Sequence, residues 1–168
     1  MIDGKVAVAI VGCGGMGGGH AVAIATGSGQ ALWMTDGSKG RELLPGDTDL
    51  TTKMVLAGTY DIKEERQEWA RKQGFATYNS FEEILEDDRV DVVLVATPND
   101  SHKELSIRAM RAGKHVLCEK PVMMTSKDLE DVLAVAKETG KVFYPRQNRR
   151  WDKDYLTMKK VFDEKLIG

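Results

Sequence analysis

Val6 to Val11 is an unbroken apolar run, VAVAIV, and DVVLVA at Asp91 to Ala96 repeats the pattern. Continuous runs of this length, without polar alternation, fit strands covered on both faces. Met54–Tyr60, a short Ala76–Tyr78, His115–Cys118 and Val142–Tyr144 are further strand candidates, the last stopped by Pro145. Between them the apolar period changes. His20–Ala25 reads as helix after a glycine-rich stretch, and Glu64–Gln73 reads as helix up to Gly74. Ser80 and Glu83 form a capping box that opens another helix. Leu105, Ala109 and Ala112 mark a helix over His102–Ala112, with Gly113 just past its end. Thr125 or Ser126 caps a helix carrying Leu129, Val132, Leu133 and Ala136, which ends at Gly140. A last helix, Asp154–Lys165, presents Tyr155, Met158, Val161 and Phe162.

Alternating strands and helices imply an α/β fold, a doubly wound parallel sheet with helices on both faces. Six strands suit the order 3-2-1-4-5-6 of dinucleotide-binding domains. One stretch departs from the pattern. Gly27–Lys53 is polar, rich in Gly, Ser, Thr and Asp, and lacks a period, so it reads as an insertion.

Composition narrows the class. The 168 residues are 42% hydrophobic with a net charge of −2, enough for one core and too neutral for general attraction to nucleic acid or acidic membranes. No apolar run approaches the roughly 20 residues of a membrane helix. The N-terminal run meets glycines rather than a small-residue cleavage site, so no signal peptide is read there. Cys13 and Cys118 make neither a CxxC pair nor a disulfide framework, which suits a reducing, cytoplasmic setting. No metal site is expected.

Gly12, Gly14 and Gly17 form G-x-G-x-x-G directly after the first strand and at a helix start. In that context the first glycine permits the turn, the second lets backbone approach a pyrophosphate, and the third lets helix pack on strand. Free N–H groups at the helix start would bind the phosphates. Cys13 reads as filler between glycines, and His20 as an ordinary helix residue. Asp61, at the second strand's end, could accept the ribose hydroxyls of adenosine and so favour NAD over NADP. It lies 44 residues beyond Gly17, against the usual ~20, an excess that matches the insertion. Lys63 could meet a 2′-phosphate, which keeps NADP open. Ala96-Thr97-Pro98-Asn99 and Glu119-Lys120-Pro121 follow strands whose carboxyl ends should open into the ligand crevice. The plain alternatives are a βα turn for the first and a surface ion pair for the second. A methyltransferase using S-adenosylmethionine would also carry a glycine turn and an acidic strand end.

The stretches VAIVGCGGMGGGH, VLAGTYD, DVVLVATPNDSHKELSIRAMRAGKHVLCEKPV and KVFYPRQNRRWDKDY together resemble the N-terminal domain of the Gfo/Idh/MocA oxidoreductases. Glucose-fructose oxidoreductase and inositol dehydrogenase are the best-known members. The EKP segment argues against the methyltransferase reading. The resemblance implies an NAD(P)-binding Rossmann domain over residues 1–150, with the insertion at 27–53, and a helix over 151–168 leading to a second, α+β domain absent from these residues. It implies that Gly12, Gly14, Gly15, Met16 and Gly17 hold the pyrophosphate, and that Asp61 and Ile62 border the adenosine ribose. Ala96, Thr97, Pro98, Asn99 and His102 would line the cofactor cleft. Glu119 would face the nicotinamide ribose. Lys120 would be the catalytic residue, supporting proton transfer, with a cis peptide bond before Pro121. Arg150 would point to the substrate side. The implied substrate is a sugar, inositol or related polyol, and the implied full-length assembly a homo-oligomer. The family's downstream Asp and His have no counterpart here, so the chain alone is not expected to turn over a polyol. A non-catalytic dinucleotide-binding module is the alternative.

Overall fold

The computed structural model describes residues 1–27 and 49–167. The middle of the expected insertion, residues 28–48, lies outside them. Five parallel strands form one sheet: β1 (Val6–Val11), β2 (Met54–Tyr60), β3 (Val92–Val95), β4 (His115–Cys118) and β5 (Phe143–Pro145), in the order β2-β1-β3-β4-β5. The crossovers carry α1 (Gly15–Thr26), α2 (Glu64–Lys72), α3 (Phe81–Glu86), α4 (His102–Arg111) and α5 (Ser126–Thr139), and α6 (Lys153–Asp163) follows the sheet.

Two strand expectations are corrected: the last strand runs Phe143–Pro145 rather than stopping before Pro145, which pairs with Cys118, and the expected third strand is reduced. Ala76–Tyr78 makes only an isolated parallel bridge, Thr59 to Thr77, closed by Thr59 N–H to the Ala76 carbonyl and Tyr78 N–H to the Thr59 carbonyl, both 2.9 Å. No further residue of the segment pairs with β2 before Ser80 caps the next helix. With that bridge at the β2 edge, the arrangement is the expected 3-2-1-4-5-6 order with its outermost position reduced to a bridge.

Alternation along the central strands explains why both faces need covering. Ala9, Val11, Val93, Val95 and Val116 pack with Phe81, Ile84, Ala109, Met110 and Val132 on one side. Val8, Ile10 and Leu94 pack with Ala21 and Ile24 of α1 on the other. The caps follow their side chains. Ser80 Oγ accepts from Glu83 N–H at 3.2 Å, and Thr125 Oγ1 from Asp128 N–H at 3.1 Å. Among the described residues, no helix is long and apolar enough to cross a membrane.

The flanks of residues 28–48 meet. Gly27 ends α1 with φ +78, and a Cβ there would overlap Asp49 Oδ1. Asp49 also accepts from Thr51 N–H at 2.9 Å, starting the short turn Leu50–Thr52 that leads into β2. Val6 N–H donates to the Lys53 carbonyl at 3.0 Å, so the junction sits at the amino edge of the sheet, opposite the strand ends that carry the glycine turn.

Candidate dinucleotide cleft

β1 ends in a turn that only glycine fits. Gly12 has φ +89, and a Cβ there would stand 2.6 Å from the Ala96 carbonyl oxygen. A Cβ on Gly17 would overlap the Gly12 carbonyl oxygen, so α1 lies directly against the turn. Gly14 and Gly15 differ from both: nothing lies within 4 Å of where their Cβ atoms would be. Gly14 is the N-cap of α1, with no side-chain cap and no acidic residue in the first turn. The helix therefore presents its positive end to open space, a setting suited to a diphosphate.

Asp61, just past β2, is joined to the turn. Its Oδ2 accepts from Cys13 N–H at 2.7 Å and its Oδ1 from Lys63 N–H at 2.9 Å. The carboxylate thus ties the glycine turn to the end of β2, and each oxygen keeps a second lone pair for a ligand hydroxyl. Cys13, read as filler, is buried at 2% exposure beside it, and burial raises its thiol pKa.

A cleft of about 680 Å³ opens along these strand ends. Gly12, Gly14, Asp61, Ile62, Ala96, Thr97 and Pro98, all named among the sequence candidates, line it. Lys63 and Arg66 also line it, and so do Tyr60, Asp100, Ser101 and Leu105. Arg66 was missed. Its signal is the helical phase, three residues beyond Lys63 on α2. Met16 is in the first turn of α1, while Asn99 opens the turn Asn99–Ser101 and is not among the lining residues. Arg150 stands in the turn Asn148–Trp151 and lines a separate concavity with Gln147, Asp154 and Tyr155.

Two expected cleft residues sit behind the wall instead. His102 has 0% exposure, with Nε2 2.9 Å from the Thr97 carbonyl oxygen and Nδ1 3.2 Å from that of Val122. It clamps the loop after β3 to the loop after β4, because its helix starts beneath both. Glu119 has 4% exposure. Its Oε1 accepts from His20 Nε2 at 2.6 Å and from an Arg146 guanidinium N–H at 3.0 Å, and its Oε2 from Lys120 N–H at 3.2 Å. These partners, and not the Lys120 ammonium, engage its carboxylate. Burial pushes the Glu119 pKa up, but the His20 hydrogen bond and the Arg146 charge outweigh burial and hold it below the ordinary glutamate range. His20, read as an ordinary helix residue, is thus part of the site's support. The next residue, Lys120, is exposed, and the Lys120–Pro121 bond is cis.

The lowered Glu119 pKa carries a pH dependence. Its contribution to stability is complete above the unfolded value of about 4.3 and is lost as pH falls through the folded value. Thermal melts between pH 7 and pH 3 should show a steeper acid loss in the unaltered chain than in Glu119→Gln. Parallel curves would refute the assignment.

The comparisons with known proteins agree with this geometry. The profile of the Gfo/Idh/MocA group, an oxidoreductase family with an NAD-binding Rossmann fold, matches residues 6–147. The 1,5-anhydro-D-fructose reductase of Ensifer adhaerens is 34% identical over 129 residues, which cover 76% of this chain and 39% of that protein. The scyllo-inositol 2-dehydrogenase (NADP(+)) of Bacillus subtilis is 40% identical over 86 residues, 51% of this chain and 24% of that one. The crystal structure of an NAD-binding protein from Listeria innocua superposes with a TM-score of 0.78 at 44% identity, covering 98% of this chain and 42% of its own. The chain thus spans less than half the length of these relatives. With the glycine turn, the strand order and the profile over residues 6–147 in agreement, the chain belongs to the Gfo/Idh/MocA oxidoreductase family as an NAD-binding Rossmann domain.

Proposed function

We propose that this chain is the cofactor half of a dehydrogenase or reductase acting on a sugar, inositol or related polyol, with NAD preferred over NADP. The observation that carries the reading is the open space at Gly14 and Gly15, at an uncapped helix N-terminus in the wall of the 680 Å³ cleft. The turn from Gly12 to Gly17, with Met16, would hold the pyrophosphate. Asp61 and Ile62 would border the adenosine ribose, with Ala96, Thr97, Pro98 and Asn99 along the cleft. The bound nicotinamide supplies the hydride chemistry, and the protein orients it. Lys120, exposed at the end of β4, would hold the substrate hydroxyl and support transfer of its proton. Arg150 would stand on the substrate side. Residues 151–168 would lead to a substrate domain through which the full-length protein associates. The inositol and anhydrosugar chemistry of the named relatives supports the substrate class. The two free cysteines support a cytoplasmic location.

Titration of the chain with NADH and NADPH tests the cofactor. Asp61 should repel a 2′-phosphate, so NADH should bind more tightly. Asp61→Ser should narrow the gap and weaken both ligands, because Cys13 N–H loses its acceptor. A preference for NADPH in the unaltered chain would overturn the assignment and shift attention to Lys63 and Arg66.

Turnover is a separate expectation. Positioning supplies roughly 7–11 kcal/mol in oriented reactions, and Lys120 is exposed after β4, outside the residues that line the cleft. A chain of these 168 residues should therefore bind dinucleotide without turning over a polyol. Lys120-dependent NADH production from NAD and a polyol panel would contradict this.

A further inference from the structure

None of the linked trio His20, Glu119 and Arg146 lines the cleft. The trio joins three separate parts of the chain: α1, the end of β4 and the segment after β5. The His20 and Glu119 side chains are only 11% and 5% exposed, and that of Arg146 is 26% exposed. Main-chain bonds complete the junction, with Glu119 N–H on the Val95 carbonyl at 2.9 Å and Arg146 N–H on the Cys118 carbonyl at 2.8 Å. Lys120 follows directly, its N–H on the Glu119 carboxylate.

A buried ion pair is a poor way to gain stability, since well-packed apolar residues of the same volume often do as well or better. Its value lies in holding one geometry. The location says which geometry is held. The sheet order β2-β1-β3-β4-β5 puts Asp61 at the end of β2, the glycine turn beside it at the end of β1, and Lys120 past β4, two strands from β1. Strands are about 4.8 Å apart, so the β4 end lies about 10 Å from the β1 end. A dinucleotide extended along the strand ends with its adenosine at Asp61 brings its second nucleoside to β3 and β4.

We propose that His20, Glu119 and Arg146 are positioning residues that set the β4 end for the nicotinamide half of the dinucleotide and leave the adenosine half to the glycine turn. The inference rests on the dinucleotide reading above. His20 links α1, which receives the diphosphate, to the strand end beside the nicotinamide. Loss of the imidazole leaves the Glu119 carboxylate short of a donor and frees the Lys120 peptide to shift.

NADH and ADP-ribose separate this role from a structural one, because ADP-ribose has the adenosine and diphosphate but no nicotinamide. Calorimetry on the chain should show that His20→Leu weakens NADH about tenfold, or 1.4 kcal/mol, and leaves ADP-ribose unchanged. The fluorescence enhancement of bound NADH should fall in parallel. His20→Gln, which keeps an N–H for the carboxylate, should retain most of the NADH affinity. Arg146→Met, at the partly exposed end of the trio, should act in the same direction more weakly, and it carries the test if His20→Leu fails to fold. Equal losses for both ligands, no loss for either, or His20→Gln as damaging as His20→Leu would each overturn the proposal. Failure of the unaltered chain to bind NADH at all would instead remove the dinucleotide reading beneath it.

Discussion

Gly14→Val should abolish dinucleotide binding in a chain that still unfolds cooperatively, and Gly17→Ala should cost the fold itself. The two glycines are three residues apart and make opposite demands. Gly14 has φ −72 and ψ −162, a backbone that valine adopts freely, with nothing within 4 Å of the added Cβ. The valine side chain would occupy only the space that a diphosphate must enter. A loss of more than about a hundredfold in NADH affinity, roughly 2.7 kcal/mol, is expected with little change in melting temperature. At Gly17 a single methyl overlaps the Gly12 carbonyl oxygen, so α1 must lift from β1. Steric overpacking in a close-packed interior costs about 1–3 kcal/mol and sometimes more, and here the obstacle is backbone that cannot rotate away. Circular dichroism melts and calorimetry distinguish the two outcomes. Unchanged NADH affinity in Gly14→Val would remove the cleft assignment.

His102→Leu should destabilise the domain and loosen the cleft wall together. Leucine matches the volume closely enough that the lost hydrogen bonding dominates. An imidazole N–H that reaches the Thr97 or the Val122 carbonyl is lost. An unsatisfied buried polar group costs about 1–3 kcal/mol, and at this chain length each kcal/mol lowers the melting temperature by about 2–4 °C. The larger consequence is local. Thr97 lines the cleft and is held from behind by His102. Dinucleotide affinity should therefore fall, and amide exchange after β3 should accelerate. A variant with unchanged melting temperature and unchanged exchange at Thr97 would show that His102 is only filler.

Legibility tracked how local each signal is. The apolar run Val6–Val11 and the glycines behind it announce a buried strand, a turn and a helix; β1 stands where the pattern put it, while α1 starts at Gly15, five residues before the expected His20. The capped helices were readable because a cap and its partner lie three residues apart, as with Ser80 and Glu83. Ala76–Tyr78 was overread because three β-compatible residues carry no information about whether a neighbour offers a ladder or one bridge. The supporting contacts of the cleft were out of reach for the opposite reason. His20 meets Glu119 across 99 positions, and Cys13 meets Asp61 across 48. Neither pair has a periodicity to betray it. The motif places Glu119 and His102 in the sequence, but a linear motif does not say which side of a wall a side chain occupies.

The junction at Gly27 and Asp49 has a consequence for how this chain can be rebuilt. Because the two flanks already touch, the right-handed β1-α1-β2 crossover is closed without any contribution from the length of residues 28–48. Lengthening a closed loop changes its entropy only logarithmically, by about 0.6 kcal/mol per doubling. The neck is therefore a port. A reporter protein spliced between Gly27 and Asp49, or new termini opened there by circular permutation, would attach at the amino edge of the sheet, a full strand length from the glycine turn.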